Sequence, residues 1–146
     1  MDKPEAMEIL LVEDNDYDAE LTLRALKQNN SSNRIIRFSD GQEALDYLFQ
    51  PEAINEAKMR AKPKLILLDL KLPGVSGLEV LQAVKSDPRT RLIPVVVLTS
   101  STEEKDIINS YQLGGNSYIS KPVEFDNFME TMKHLGLYWL LLNKAP

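Results

Sequence analysis

The chain has 146 residues, about the size of one domain, long enough to enclose a core and short for two. Hydrophobic residues make up 43% of it and charged residues 27%, the balance of a globular protein rather than a disordered one. A formal net charge of -5 argues against a sequence-blind grip on nucleic acid or on an anionic membrane, and the lack of cysteine excludes disulfides, thiolate metal sites and thiol nucleophiles.

The acidic start MDKPEAMEILLVED offers only Ile9 to Val12 as an apolar run, too short for the core of a signal peptide. The longest apolar stretch, Leu137 to Leu142, falls far short of the roughly 20 residues that cross a bilayer. A cytoplasmic chain with no membrane insertion is therefore expected. Glu8 to Val12 reads as the first strand, nearly unbroken in aliphatic residues. Glu13 and Asp14 follow it, and then a helix with Leu21, Ala25 and Gln28 on one stripe. Asn15 to Asp18 suit the start of that helix, where acidic side chains cap exposed amides. The same stretch superficially matches a calcium loop, but Ala19 and Ala25 stand where that loop needs glycine and glutamate. Its Asp14-x-Asp16 core also matches the Asp-x-Asp of haloacid-dehalogenase-type phosphatases; helix capping explains it better.

Ile35 to Phe38 gives a second strand and Ala44, Leu45 and Leu48 a second helix, followed by a long connection, Gln50 to Lys64, read as an extended helix end plus a surface loop. Leu65 to Leu70 is the third strand, with Asp69 at its end, and Val80, Leu81 and Val84 mark a helix after Gly77. Pro94 to Leu98 is the fourth strand, followed by Thr99. A fourth helix begins at Ser101, with Glu104 completing a capping box, and ends before Gly114-Gly115. Ser117 to Ser120 is the fifth strand, Lys121-Pro122 follows, and Phe125, Phe128, Met129 and Met132 belong to a fifth helix. His134, the only histidine, falls in the last turn of that helix as a surface residue.

Five strand-helix alternations imply an α/β fold with a doubly wound parallel sheet, helices on both faces and a binding edge at the carboxyl ends of the strands. Strands one, three and four, aliphatic throughout, belong in its middle; the more polar second and fifth suit its edges. Glu13, Asp14, Asp69, Thr99 and Lys121 then meet at one edge. Carboxylates clustered without histidine or cysteine suit Mg2+ (or Mn2+), with Asp14 and Asp69 as direct ligands, Glu13 holding a coordinated water, and a backbone carbonyl after Asp69 supplying another oxygen. Asp69, on a stiff loop, is the best placed nucleophile towards phosphorus; Lys121 would compensate charge and Thr99 would hydrogen-bond a phosphoryl oxygen.

The segments ILLVEDN, LILLDLKLPGVSGLEVL, PVVVLTS and YISKP, in this order, resemble the CheY-like receiver domains of response regulators over roughly Ile9 to Leu135. The intervals of 30 residues from Asp69 to Thr99 and 22 from Thr99 to Lys121 are similar as well. The resemblance implies a flavodoxin-like five-stranded sheet of order 2-1-3-4-5 with five helices. It implies that Asp69 is the phosphoacceptor, Glu13 and Asp14 the acidic metal pair, and Lys71 the residue lending its backbone carbonyl to Mg2+. Thr99 would be the switch hydroxyl, Lys121 the phosphate-facing lysine and Tyr118 the aromatic switch, with Pro122 in a cis bond. Lys71 and Ser101 match the positions that tune phosphoryl lifetime. Such a chain is no enzyme in the ordinary sense; it assists its own phosphorylation and dephosphorylation.

A receiver over residues 7–136 leaves a C-terminal extension, 137–146, whose Leu137-Tyr138-Trp139-Leu140-Leu141-Leu142 run either folds back on its own domain or forms an interface. A homodimer through the fourth helix, fifth strand, fifth helix and this tail is expected. The long second connection and the aromatic tail are similar to the small response regulators of cyanobacterial phytochromes. The 25 residues after Lys121 leave no room for an output domain, so output by association is expected. The expected partner is a sensor histidine kinase, a phytochrome among the candidates. Two other classes compete. A Mg2+-dependent phosphohydrolase would need a general acid or base beyond this set, and a constitutive dimeric scaffold would survive replacement of Asp69.

Overall fold

The computed structural model describes residues 8–27, 34–49, 63–99 and 117–136. Five strands lie in it: β1 (Glu8–Val12), β2 (Arg34–Phe38), β3 (Leu65–Asp69), β4 (Val95–Thr99) and β5 (Ser117–Ser120). They form one sheet in the order β2-β1-β3-β4-β5, and every neighbouring pair is parallel. Four helices are among the described residues: α1 (Asp16–Leu26), α2 (Gly41–Leu48), α3 (Gly77–Ser86) and α4 (Phe125–His134). The helix expected from Ser101, most of the connection from Gln50, and the extension from Leu137 lie outside the described residues.

The two-sided strands explain the sheet. Successive side chains of a strand point to opposite faces, so Ile9, Leu11, Leu65, Leu67, Val96 and Leu98 pack with Ala19, Leu26, Phe128 and Met132 on the face covered by α1 and α4. Leu10, Val12, Ile66, Leu68, Val95 and Val97 pack on the other face with Ala44 of α2 and Val80, Leu81 and Val84 of α3. Each such side chain removed from water contributes about 1.5–3 kcal/mol, which is why the aliphatic strands take the middle. β2 is only half-buried along most of its length and β5 buries Ile119 alone, as sheet edges allow.

Local chemistry starts three of the helices. The Asn15 side chain accepts from the Asp18 amide at 2.8 Å, and Asp40 does the same for Glu43 at 2.8 Å. Ser76 and Glu79 form a reciprocal capping box at the start of α3, with bonds of 2.8 and 3.2 Å. The buried stripe of α1 is Ala19, Thr22, Ala25 and Leu26, with Leu21 only half-buried. The expected stripe, Leu21-Ala25-Gln28, is thus rotated, because small Ala19 and Ala25 let the helix approach the sheet; Gln28 lies outside the described residues. β3 ends at Asp69 rather than Leu70, and β4 runs to Thr99 rather than Leu98, so both polar residues are the last of their strands. Among the described residues no helix is long and apolar enough to cross a membrane.

Candidate functional site

Because the chain passes from β1 to β2 on one side and on to β3 on the other, the winding reverses between β1 and β3, and sheets of this kind bind ligands at the carboxyl ends of the strands there. Glu13 and Asp14 follow β1 and Asp69 closes β3 at this edge. Parallel pairing brings Thr99 at the end of β4 level with Ser120 at the end of β5, and Lys121 follows. The Lys121 amide continues the ladder by donating to the Thr99 carbonyl at 2.9 Å. Thr99 itself is buried.

The Lys121 ammonium is the hub. It donates to Glu13 Oε1 at 3.0 Å, Asp18 Oδ2 at 3.1 Å and Asp69 Oδ2 at 3.3 Å. Its side chain is 7% exposed, that of Glu13 0% and that of Asp69 6%, so these charges meet with little water to screen them. Backbone amides hold the other oxygens: Asn15 N–H donates to Glu13 Oε2 at 3.1 Å and Lys71 N–H to Asp69 Oδ1 at 3.3 Å. Burial pushes the Glu13 carboxyl up from its ordinary 4.5 to about 7; the Asp69 charge adds to this, while hydrogen bonds from Lys121 and the Asn15 amide oppose it without overcoming it. For Lys121, burial alone would lower the value. The Glu13 hydrogen bond, the charges of Asp69 and Glu13, and Asp18 outweigh burial and hold the ammonium above its ordinary range. One cation answers to three acids, whereas each acid has a third share of one cation.

A carboxylate oxygen from each of Glu13, Asp14 and Asp69 lies within 4.8 Å of the other two. Three carboxylates share the Lys121 ammonium, the Asp14 carboxylate stands beside two of them, and this all-oxygen donor set, rich in negative charge, fits a hard divalent cation that keeps part of its water shell. Among the described residues no side chain pairs with the exposed Asp14 carboxylate, which leaves it free to ligate. When bound, such a cation would supply charge neutralisation beside Asp69.

The loop after β3 is fixed by close packing. The Gly77 amide donates to the Leu70 carbonyl at 3.0 Å. A methyl group at Gly77 would stand 2.2 Å from the Asp69 carbonyl oxygen and 2.5 Å from Leu70 Cα, so only glycine lets α3 start here. Tyr118 lies in β5 opposite Val97, 39% exposed, and the Lys121–Pro122 bond is cis. Ser101 lies outside the described residues. His134 is exposed at the end of α4, with Nδ1 3.0 Å from the Glu130 carbonyl.

Three further participants come together only in the fold. Asp18 reads in sequence as a helix-capping acid but reaches Lys121, 103 positions away. Arg37, in β2, donates through Nε and Nη2 to the Glu13 carbonyl at 3.0 and 2.8 Å. Gly77 is visible in sequence only as the residue before a helix. No local pattern marks the first two, since their partners are set by strand order.

Residues 9–133 match the model of the response regulator receiver domain family. The chain is 44% identical to a probable methanogenesis regulatory protein, FilR2, of Methanothrix harundinacea, over 94% of this chain and 86% of that one. It is 39% identical to the response regulator Rcp1 of Synechocystis, over 90% and 88%. The solved structure of the bacteriophytochrome response regulator AtBRR superposes with a TM-score of 0.78 at 50% identity, covering 93% of this chain and 96% of that one. The Mn2+-bound form of Rcp1 superposes at 0.73, with 37% identity over 92% and 94%.

Proposed function

We propose that this chain, which belongs to the response regulator receiver domain family, accepts a phosphoryl group on Asp69 from a sensor histidine kinase and signals by phosphorylation-dependent protein association. The carrying observation is the placement of Asp69: it is buried at the carboxyl edge of β3, between an amide on Oδ1 and the Lys121 ammonium on Oδ2, beside Glu13 and Asp14. In the proposed step an Asp69 carboxylate oxygen forms a bond to phosphorus while the bond from phosphorus to the donor imidazole breaks. The imidazole leaves with the electron pair of that bond. Lys121 offsets negative charge on the transferred group, and Thr99 offers its hydroxyl to a phosphoryl oxygen.

Glu13, Asp14 and Asp69 would hold Mg2+ or Mn2+, with the Lys71 carbonyl as a further oxygen; the Mn2+-bound state of Rcp1 supports this reading. Similarity to the bacteriophytochrome response regulator AtBRR supports a phytochrome as the partner kinase. Tyr118 is the residue through which a displacement of Thr99 would reach the β5 edge, and self-association across the helix expected from Ser101, β5, α4 and residues 137–146 is the form of output. Gel filtration at micromolar concentration tests that last element: elution as a monomer in both phosphorylation states would exclude it.

The central experiment incubates the protein and Mg2+ with acetyl phosphate or phosphoramidate and follows intact mass. Addition of one phosphoryl group to the wild type and none to Asp69→Asn is the expected result. No modification of the wild type, or catalytic turnover of unrelated phosphoesters, would refute the reading.

A further inference from the structure

We infer that Arg37 is a positioning residue for the divalent cation, holding the Glu13–Asp14 peptide so that the Asp14 carboxylate stays aimed at the site. The inference rests on the metal-binding reading of Glu13, Asp14 and Asp69 given above.

Asp14 is the one member of the acidic trio whose side chain has no partner among the described residues: Glu13 and Asp69 are each held by Lys121 and by a backbone amide. Its position therefore depends on its backbone. The peptide that joins it to Glu13 carries the Glu13 carbonyl, and this oxygen accepts two bonds from the Arg37 guanidinium, from Nε at 3.0 Å and Nη2 at 2.8 Å. The Glu13 amide is held from the same strand, donating to the Phe38 carbonyl at 3.0 Å. The last two residues of β2 thus fix both backbone polar groups of Glu13.

The third guanidinium nitrogen, Nη1, lies 3.0 Å from Asp16 Oδ1. Asp16 is 93% exposed, so this pair adds little energy, but it keeps the plane of the fork in line. Arg37 itself is only 27% exposed. A rigid planar fork is the property in use: one oxygen held by two donors in a plane restricts rotation of the peptide about the adjoining φ and ψ. A lysine at this position would bring a single point charge without that restriction.

Partners that orient metal ligands from behind typically carry 10- to 100-fold in affinity. The test is a titration of the full chain with MgCl2, following the backbone amide signals of Asp14 and Asn15 by NMR, for wild type, Arg37→Ala, Arg37→Lys and Asp16→Asn. The half-saturating Mg2+ concentration is expected to rise at least tenfold in Arg37→Ala and by an intermediate factor in Arg37→Lys, and to stay within about twofold in Asp16→Asn. In phosphorylation by phosphoramidate, Arg37→Ala should need correspondingly more Mg2+ yet reach the wild-type rate at saturation. Wild-type affinity in Arg37→Ala, or a lower plateau at unchanged half-saturation, overturns the inference. If circular dichroism shows Arg37→Ala unfolded, Arg37→Lys decides, and wild-type affinity there overturns it equally. A wild type that shows no Mg2+ response defeats the underlying metal reading instead, a result distinct from either of these.

Discussion

Glu13→Gln tests the electrostatics of the site through its effect on stability. The Glu13 carboxyl is raised from 4.5 to about 7, chiefly by burial. In the metal-free protein between these two values, the folded state keeps a proton that the unfolded state has released, so raising the pH favours unfolding. The stability is fully present below 4.5 and is lost as pH rises through 7. At about 1.4 kcal/mol per tenfold change in proton affinity, the loss amounts to about 3 kcal/mol. Lys121, held above its ordinary value of 10.5, keeps its proton in both states throughout this range and adds no slope. Glutamine matches the protonated acid in shape but cannot ionise. Its amide cannot serve both the Asn15 N–H and Lys121 as acceptor, which costs about 1 kcal/mol at every pH and cancels in the slope. Urea unfolding followed by far-UV circular dichroism, in EDTA from pH 5 to 8.5, should therefore show wild-type stability falling by about 2–3 kcal/mol relative to Glu13→Gln. Mg2+ should reverse the trend in the wild type, because the metal binds the ionised ligands and stabilises the folded state more as pH rises. Parallel curves for the two proteins in EDTA would refute the reasoning.

Gly77→Ala should destabilise the fold by about 1–3 kcal/mol through overpacking and, by pushing on the Asp69–Leu70 backbone, slow phosphorylation by a small-molecule donor; a stability loss with an unchanged rate would show that the loop yields elsewhere. Lys121→Met leaves Glu13 and Asp69 buried without a cation and should cost about 3 kcal/mol in urea unfolding at pH 7.5 without metal, the low end for a broken buried pair because Glu13 can take up a proton. Saturating Mg2+ should recover part of that loss. Ser76→Ala removes one half of the capping box and should cost about 1 kcal/mol, read as a shift in the urea midpoint without change of slope.

Much of the architecture is carried by local pattern. The aliphatic runs Ile9–Val12, Leu65–Leu68 and Val95–Leu98 bury both of their faces, so they read as central strands before any pairing is known, and β2 and β5 announce themselves as edges by their polar residues. Ser76 with Glu79 and Asn15 with Asp18 are capping signals of three residues' span, equally visible in one dimension. Strand ends and helix faces were less legible. β3 stops at Asp69, one residue short of the expected Leu70, whereas Thr99 falls inside β4 because the ladder to β5 runs one residue beyond the apolar run, and α1 turns on small Ala19 and Ala25 rather than on Leu21.

The sequence by itself therefore determined the layered α/β class and the identity of the acids, hydroxyl and lysine at the strand ends, because periodicity and strand-terminal chemistry are local properties. Only the tertiary structure decided that Lys121 is shared among Glu13, Asp18 and Asp69, that Arg37 clamps the Glu13 carbonyl, and that Gly77 must be bare for α3 to meet Asp69. Those contacts depend on which strands lie side by side and on the distance at which helices settle against them. Both are set by burial summed over the whole sheet rather than by any segment of the chain.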